Sequence, residues 1–372
     1  MAERFSLKDA LFNAETVGQL AREYAAGVPG FDPDRFQTAA LAGFPDRELM
    51  ARLEWLADCI EEQLSPDFPR MAEQLEAAMP APLDPGLRDD DFGQFIHAVP
   101  GILAVRHGLE AHRARAMTLL HRATQRFSME FYIRSFLNRW RDETLSALQS
   151  WAEDDNYHVR RLVSEGTRPK LPWAKAVTLT PEQTLPLLDR LHGDPTRYVT
   201  RSVANHLNDL SKTNDALVLE RLAQWKTQAA QTAKELDWMT RHALRTLIKQ
   251  GHTGAMTALG YDGAMPVAVT LDIETPQVAR GAALNFTCTV ASEVALPLLV
   301  DYRITFARPD GKQAEKVFKL KQGRTTPDKP FQVRKVHKLK GDATTFTLYP
   351  GTHHVTVQVN GVDRAQASFE LT

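Results

Sequence analysis

Apolar side chains recur at helical spacing over roughly the first 260 positions of this 372-residue chain. In the segments 46–64 and 142–155 they fall at positions i, i+3, i+4 and i+7, which places them on one face of an amphipathic helix. Stretches rich in Pro and Gly at 27–34 and 79–91 interrupt the pattern and predict loops. The first part of the chain is therefore predicted to be all helical.

A short pattern recurs in this helical part with a step of 40 residues, which aligns Arg161 with Arg201 and then with Arg241. Helical repeats of about 40 to 47 residues are typical of HEAT and armadillo arrays, in which each helix pair buries its apolar face against its neighbours. We therefore expect a curved solenoid with a concave face. These arginines lie in the segments YHVRRLV (157–163), RYVTRSV (197–203) and WMTRHAL (238–244).

The position four residues after each repeated arginine shares a helix face with it. That column is filled by Glu165, Asn205 and Arg245 in the successive copies. Because core positions are seldom filled by such different side chains, we expect the column to line the concave surface. The first copy also ends differently, since Pro169 and Pro172 stop its helix and the loop RPKLPW follows.

The period changes to two near Met265, where the sequence becomes rich in Val, Thr and Phe. At least six short strands separated by turn signals are typical of an antiparallel sandwich of immunoglobulin type. Cys288 has no second cysteine on the strand HHVTVQV, so a core disulfide is not expected. The predicted fold is an all-α HEAT-like repeat solenoid over 1–262 followed by an all-β immunoglobulin-like sandwich over 266–372. The predicted strands are VAVTLDIET, AALNFTCTVAS, LLVDYRITFA, KVFKLKQ, TTFTLYPG and HHVTVQVNG.

The chain has 45 Lys and Arg and 46 Asp and Glu, which give a net charge of −1. These charges are distributed unevenly along the sequence. The balance is −11 over residues 1–100, +7 over 101–250 and +3 over 251–372. Ten Lys or Arg stand between Gly311 and Lys340 against two acidic residues. This asymmetry favours a polyanionic partner, because neutralising phosphates releases counterions. A solvated charged face is the alternative.

The sequence lacks the motifs of several enzyme classes. It has no GxGxxG, Walker A, HExxH or GxSxG signature, and none of its 12 His residues has helical metal-ligand spacing with a third candidate. Two Cys cannot make a four-Cys zinc site, and no apolar run approaches the roughly 18 residues of a membrane-spanning helix. The N-terminus lacks the features of a secretory signal. We expect a cytoplasmic, monomeric protein without a metal or nucleotide cofactor.

Three segments of the helical part carry an unusual mixture of aromatic, acidic and basic residues: FSMEFYIRSF (127–136), VRRLVSEGTRPKLPW (159–173) and DPTRYVTRSVANHLNDLSK (194–212). Together they closely resemble the AlkC branch of the DNA alkylation-repair glycosylases, which are built from HEAT-like repeats. An immunoglobulin-like C-terminal domain accords with the longer members of that branch.

The resemblance implies a monofunctional DNA-3-methyladenine glycosylase of base excision repair, which hydrolyses the N-glycosidic bond in duplex DNA without flipping the base. It also implies 3-methylcytosine as a further candidate substrate. An N3-alkylated base carries positive charge and leaves readily, so the sugar develops oxocarbenium character. A carboxylate beside the sugar stabilises that cation and orients water, and an aromatic ring can offer it a π face.

Two carboxylates within these segments are candidates for catalysis. Glu130 is the first choice, with a helical ion pair to Arg126 or Arg134 as the structural alternative. Glu165 is the second, and Arg161 is its expected partner one turn earlier.

Arg161 and Trp173 complete the candidate catalytic set. The planar fork of Arg161 suits a phosphate or a carboxylate, although HEAT arrays also use Arg to tie neighbouring repeats together. Trp173 offers a base or sugar contact, with packing between repeats as the alternative. The predicted DNA-binding residues are Arg126, Arg160, Arg168, Lys170, Lys175, Arg201, Asn205, Lys212, Lys335 and Lys338.

A noncatalytic HEAT and immunoglobulin-like scaffold that binds nucleic acid or protein is the alternative function. The loop that interrupts the repeat with aromatic and basic residues favours the enzyme. A two-metal nuclease is not favoured, because the sequence holds no clustered Asp and Glu metal site.

Overall fold

The computed structural model describes residues 6–87, 92–309, 311–341 and 346–372. They divide into two compact units. The helical unit contains the described residues up to Leu210 together with Gln228–Met239, and the C-terminal unit contains those of Ser211–Thr227 and Thr240–Thr372. Among the described helices, none is long and apolar enough to span a membrane.

The predicted helical character of the first part is confirmed. Several helices begin at a side chain that accepts backbone N–H groups of the first turn, as Asn13, Asp32 and Asn156 do. The predicted loops also form, although a helix already begins at Pro33 inside the first loop, and residues 88–91 of the second loop lie outside the described residues. The helices are α1 (Leu7–Leu11), α2 (Ala14–Gly27), α3 (Pro33–Ala42), α4 (Leu49–Glu61), α5 (Phe68–Ala77), α6 (Val99–Leu103), α7 (Arg113–Ala123), α8 (Ile133–Arg139), α9 (Arg141–Trp151), α10 (Tyr157–Gly166), α11 (Pro181–Leu191), α12 (Arg197–Leu210), α13 (Asp215–Gln228), α14 (Ala233–Ala243), α15 (Arg245–Lys249) and α16 (Thr253–Ala258).

The 40-residue step is confirmed for the first two copies, because α10 begins at Tyr157 and α12 begins at Arg197. The third copy departs from the pattern. Helix α14 ends at Ala243, and Arg245 opens α15 after a break at Leu244. Arg241 and Arg245 therefore do not share a helix, and the predicted column is wrong in this copy.

The C-terminal unit contains the predicted sandwich. A three-stranded sheet of order β1-β3-β6 and a five-stranded sheet of order β2-β8-β7-β4-β5 enclose a core that includes Phe286, Tyr302 and Phe369. Cys288 on β3 is buried and free, as predicted. The strands are β1 (Ala268–Ile273), β2 (Gln277–Val278), β3 (Ala283–Ala291), β4 (Pro297–Ala307), β5 (Gln313–Arg324), β6 (Phe331–Lys338), β7 (Gly351–Val359) and β8 (Val362–Leu371).

The strand predicted at TTFTLYPG is wrong over its described residues, since 346–350 form no strand and β7 begins only at Gly351. Thr344 and Thr345 lie outside the described residues. The aromatic and apolar residues here pack on the core from irregular backbone, as Phe346 and Leu348 do. The alternation of apolar and polar residues in this segment therefore indicated which side chains are buried, but it did not indicate that the backbone pairs as a strand.

A buried carboxylate in this sandwich gives a prediction about pH. Asp301 on β4 faces Lys319 of β5, Gln358 of β7 and Lys249 of α15. Burial raises the pKa of Asp301 to about 6, although both lysines and the backbone N–H of Leu320 oppose the shift. The folded state therefore holds the proton more tightly than the unfolded state, and stability falls as pH rises through about 6.

We expect Asp301→Asn to stabilise the C-terminal unit by about 2 kcal/mol at neutral pH and to have little effect near pH 4. Urea unfolding at a series of pH values measures this difference. Equal stabilisation at every pH would contradict the assignment, and Asp272→Asn on β1 serves as the control.

Candidate active site

Glu130 lies in a tight turn between α7 and α8, whereas its sequence context predicted a helix. The side chain of Met129 is buried, and its backbone N–H bonds to Oγ1 of Thr124 at 3.3 Å. This turn takes Glu130 out of helical register with Arg126, whose Nε donates to the carbonyl of Pro80 at 2.8 Å. The alternative of a helical ion pair between Glu130 and Arg126 is therefore wrong.

Arg161 on α10 lies between two carboxylates. Its Nη1 donates to Glu130 and to Oγ of Ser128 at 2.9 Å, and its Nη2 lies 3.5 Å from Oε2 of Glu165. The guanidinium carbon is 4.9 Å from the ring centroid of Tyr198, within cation–π range. Burial opposes the charge on Arg161, but Glu130, Tyr198 and Glu165 together outweigh this effect and raise the pKa of Arg161. The side chains of Arg161 and Glu130 each keep 14% exposure, so solvent reaches the pair.

Glu165 is buried and has a second group of partners. Ser202 donates to it at 2.6 Å, and Nη1 of Arg168 donates at 2.5 Å. Arg168 in turn donates to Oδ2 of Asp209 at 2.9 and 3.0 Å. Burial favours a higher pKa for Glu165, but Arg161, Arg168 and the Ser202 hydroxyl together lower it. The prediction that this position lines the concave surface is wrong, because Glu165 is buried and two arginines satisfy its carboxylate in the interior.

The result is a chain of alternating charges, which we call the charged network: Glu130, Arg161, Glu165, Arg168 and Asp209. Three of the four predicted catalytic residues belong to it. The expected pairing of Glu165 with Arg161 is confirmed, and Arg161 is also the partner of Glu130.

Arg134 on α8 anchors the loop that follows α10. Its Nη1 donates to the carbonyls of Gly166 at 3.0 Å and Arg168 at 2.8 Å, and its Nε donates to that of Lys175 at 2.5 Å. These bonds satisfy the buried guanidinium, so the alternative of an ion pair between Arg134 and Glu130 is also wrong. Sequence reasoning missed this role, because backbone acceptors leave no pattern in the sequence.

Trp173 projects from the anchored loop with 66% of its surface exposed. Helix α10 ends at Gly166, as the two prolines predicted, and Trp173 adopts a left-handed backbone with φ of 60°. Such a conformation is costly for a bulky residue and persists only where its surroundings impose it. The exposure of Trp173 excludes packing between repeats as its role.

Two further rings pack against Tyr198, the aromatic side chain that Arg161 contacts. Tyr198 lies 5.8 Å from the ring of Tyr157 and 5.4 Å from that of His158. Burial raises the pKa of Tyr198. Sequence reasoning missed these residues, although His158 and Tyr198 occupy equivalent positions one repeat apart.

The predicted DNA-binding residues lie in different environments. Arg160 joins successive repeats, since it donates to the Asp194 carboxylate at 2.6 and 3.3 Å and to the carbonyls of Asp154 and Asp155. Lys170, Lys175, Lys212 and Lys338 are exposed, whereas Arg126, Arg168, Arg201, Asn205 and Lys335 are half-buried. Contact of any of them with DNA stays a prediction.

Comparisons with known proteins agree with this architecture. The model for the DNA alkylation repair enzyme family matches residues 124–247, and that for the C-terminal Ig-like domain of the uncharacterised protein YhaZ matches residues 268–372. Uncharacterized protein YhaZ of Bacillus subtilis (strain 168) is 30% identical over 366 residues, which cover 97% of this chain and 98% of that protein.

A solved structure matches over nearly the whole chain. It is the alkylpurine DNA glycosylase AlkC of Pseudomonas fluorescens bound to DNA containing an abasic site analogue. The two share 33% identity with a TM-score of 0.87, over 99% of this chain and 100% of that one. The helical repeats with their charged network, followed by an immunoglobulin-like sandwich, define a HEAT-like DNA alkylation-repair enzyme. This chain belongs to the AlkC-type branch of that family.

Proposed function

We propose that this protein is a monofunctional DNA-3-methyladenine glycosylase that acts on N3-alkylated bases in duplex DNA. The observation that carries the proposal is the solvent-reachable pair of Glu130 and Arg161, supported from the interior by Glu165. Family membership supports duplex DNA as the partner, 3-methylcytosine as a second substrate and release without base flipping.

Glu130 is the proposed carboxylate for the chemical step. When the bond between the sugar C1′ and N9 of 3-methyladenine breaks, its electron pair stays on the base, which leaves uncharged. The sugar becomes an oxocarbenium ion, which a nearby carboxylate stabilises. Water then adds to C1′, and Glu130 accepts its proton. The balance of charge requires no metal and no acid that protonates the leaving base.

Arg161 and Trp173 assist this carboxylate. Arg161 orients Glu130, while Glu165 gives the guanidinium another acceptor when Glu130 turns toward the sugar. The exposed indole of Trp173 offers its π face to the cationic base.

We also propose that residues 1–262 carry the chemistry and that the sandwich at 266–372 adds DNA contacts. The exposed ammonium of Lys338 suits a phosphate contact, as does Lys335, whose Nζ lies 5.9 Å from the ring centroid of Tyr302. The proposed enzyme is monomeric, cytoplasmic and free of cofactors.

Release of free base from alkylated duplex DNA tests this function. We expect the purified protein to release 3-methyladenine from methylated DNA in the presence of a chelator, well above the spontaneous rate. Chromatography of the released bases across a panel of alkylated substrates measures the activity and ranks the lesions. Binding to duplex DNA without any release above the spontaneous rate would instead support the scaffold.

A further inference from the structure

Two exposed aromatic side chains stand out in the part of the chain that the structure describes. Among its Phe, Tyr and Trp residues, Trp173 and Phe92 alone are exposed, and Phe92 keeps 50% of its surface open. Large aromatic groups are usually buried, so an exposed ring beside a functional cluster indicates a contact surface. Trp173 was expected from the sequence, whereas Phe92 was not.

Phe92 is held in place by its backbone. The next residue, Gly93, has φ of +67° and forms a bridge with Phe127. A Cβ atom at Gly93 would lie 1.9 Å from the carbonyl oxygen of Arg126, so only glycine permits this approach. The segment that carries Phe92 is therefore fixed against the chain just before Glu130.

The ring of Phe92 also reaches the other side of the charged network. It packs edge-on against Tyr198, with centroids 5.4 Å apart and planes at 74°. The guanidinium carbon of Arg201 lies 5.8 Å from the Phe92 centroid. Tyr198 in turn contacts Arg161, the partner of Glu130. Phe92 thus adjoins the network through both its backbone and its ring, and half of its surface remains open.

We propose that Phe92 is a DNA-contacting residue of this site, whose open face stacks on the base or deoxyribose beside the damaged nucleotide. This inference rests on the proposed function. Stacking on an aromatic side chain tolerates any base, because every base has a π face. The contact holds the damaged nucleotide against Glu130 and excludes water from that side, while Trp173 acts from the loop after α10.

Four variants test the proposal: Phe92→Ala, Phe92→Leu, Phe92→Trp and, as control, Leu7→Ala, which shortens a similarly exposed apolar side chain on α1. We expect the Ala and Leu variants to lose roughly tenfold in affinity for a duplex with an abasic-site analogue and in single-turnover release of 3-methyladenine. Phe92→Trp should stay within about twofold of the wild type, because it keeps a stacking face. Fluorescence anisotropy and base release measure the two effects.

The results separate this inference from the proposed function. Weaker DNA binding by the Ala and Leu variants of a protein that releases no base would support the Phe92 contact and overturn the glycosylase. Wild-type binding and release by both variants would overturn the contact alone. The contact would also be overturned if Phe92→Leu kept wild-type DNA affinity and base release while Phe92→Ala lost them and melted at a lower temperature. Apolar packing within the protein would then explain the role of Phe92 without a DNA contact.

Discussion

We expect the replacement of Glu130 with Gln to slow release of 3-methyladenine by about 100-fold, the scale at which removal of one preorganised electrostatic group reduces catalysis. The amide keeps the shape of the side chain but supplies no negative charge to the oxocarbenium ion and accepts no proton from water. Single-turnover release from methylated duplex DNA measures the loss, and anisotropy shows whether binding survives.

Glu143→Gln is the matched control, because Glu143 on α9 is a half-exposed carboxylate that pairs with Arg113 at 2.8 Å. It should release base at the wild-type rate. If Glu130→Gln also retained that rate while folding normally, Glu130 would not be the catalytic carboxylate, and Glu165 would remain as the candidate.

We expect the replacement of Glu165 with Ala to lower the thermal transition of the helical unit by roughly 10 °C, a loss of about 3–5 kcal/mol. The reason is that Arg168 and Arg161 both lose a buried counter-charge, and the hydroxyl of Ser202 loses its carboxylate acceptor. Far-UV circular dichroism during heating measures the shift. The thermal transition of Glu165→Gln should lie between those of Glu165→Ala and the wild type, since the amide oxygen still accepts a hydrogen bond from Ser202.

As the control, Glu153→Ala removes a carboxylate that is 71% exposed and pairs with Arg190, and we expect almost no change in stability.

The stabilising effect of Glu165 should depend on pH. The pKa of Glu165 is lowered in the folded state, so its contribution to stability is present above the unfolded pKa and disappears as pH falls. The difference in thermal transition temperature between the wild type and Glu165→Ala should therefore become smaller at acidic pH. A difference that stayed constant until the protein unfolds in acid would contradict the ionised, paired state of Glu165.

The shared position of Arg161 gives the charged network an expected role both in stability and in the proposed reaction. Arg161 binds Glu130 at the solvent-reachable end and approaches Glu165 toward the interior. In the proposed reaction, Glu130 can turn toward the sugar while the guanidinium keeps Glu165 as a buried acceptor. Loss of Glu165 is thus expected to affect stability, whereas loss of Glu130 mainly affects the reaction rate.

Local periodicity determined much of this protein from sequence alone. The change of period near Met265 separated helices from strands, and the step from Arg161 to Arg201 predicted the spacing of α10 and α12. Pro169 and Pro172 predicted the end of α10. These predictions succeed because each depends on residues close together in the chain, where backbone geometry fixes which side chains share a face.

Contacts between segments that are far apart in the sequence decided the features of the site that the sequence did not predict. The pairing of Glu130 with Arg161, the carbonyl partners of Arg134, the contacts that bury Glu165 and the ring contact of Phe92 all join residues about 30 or more positions apart. A sequence pattern reports which face a residue occupies but not which charge or backbone oxygen lies opposite. The sequence by itself therefore determined the repeats, the sandwich and the candidate residues. Only the tertiary structure decided which carboxylate stays within reach of solvent, because burial and pairing depend on the packed neighbours.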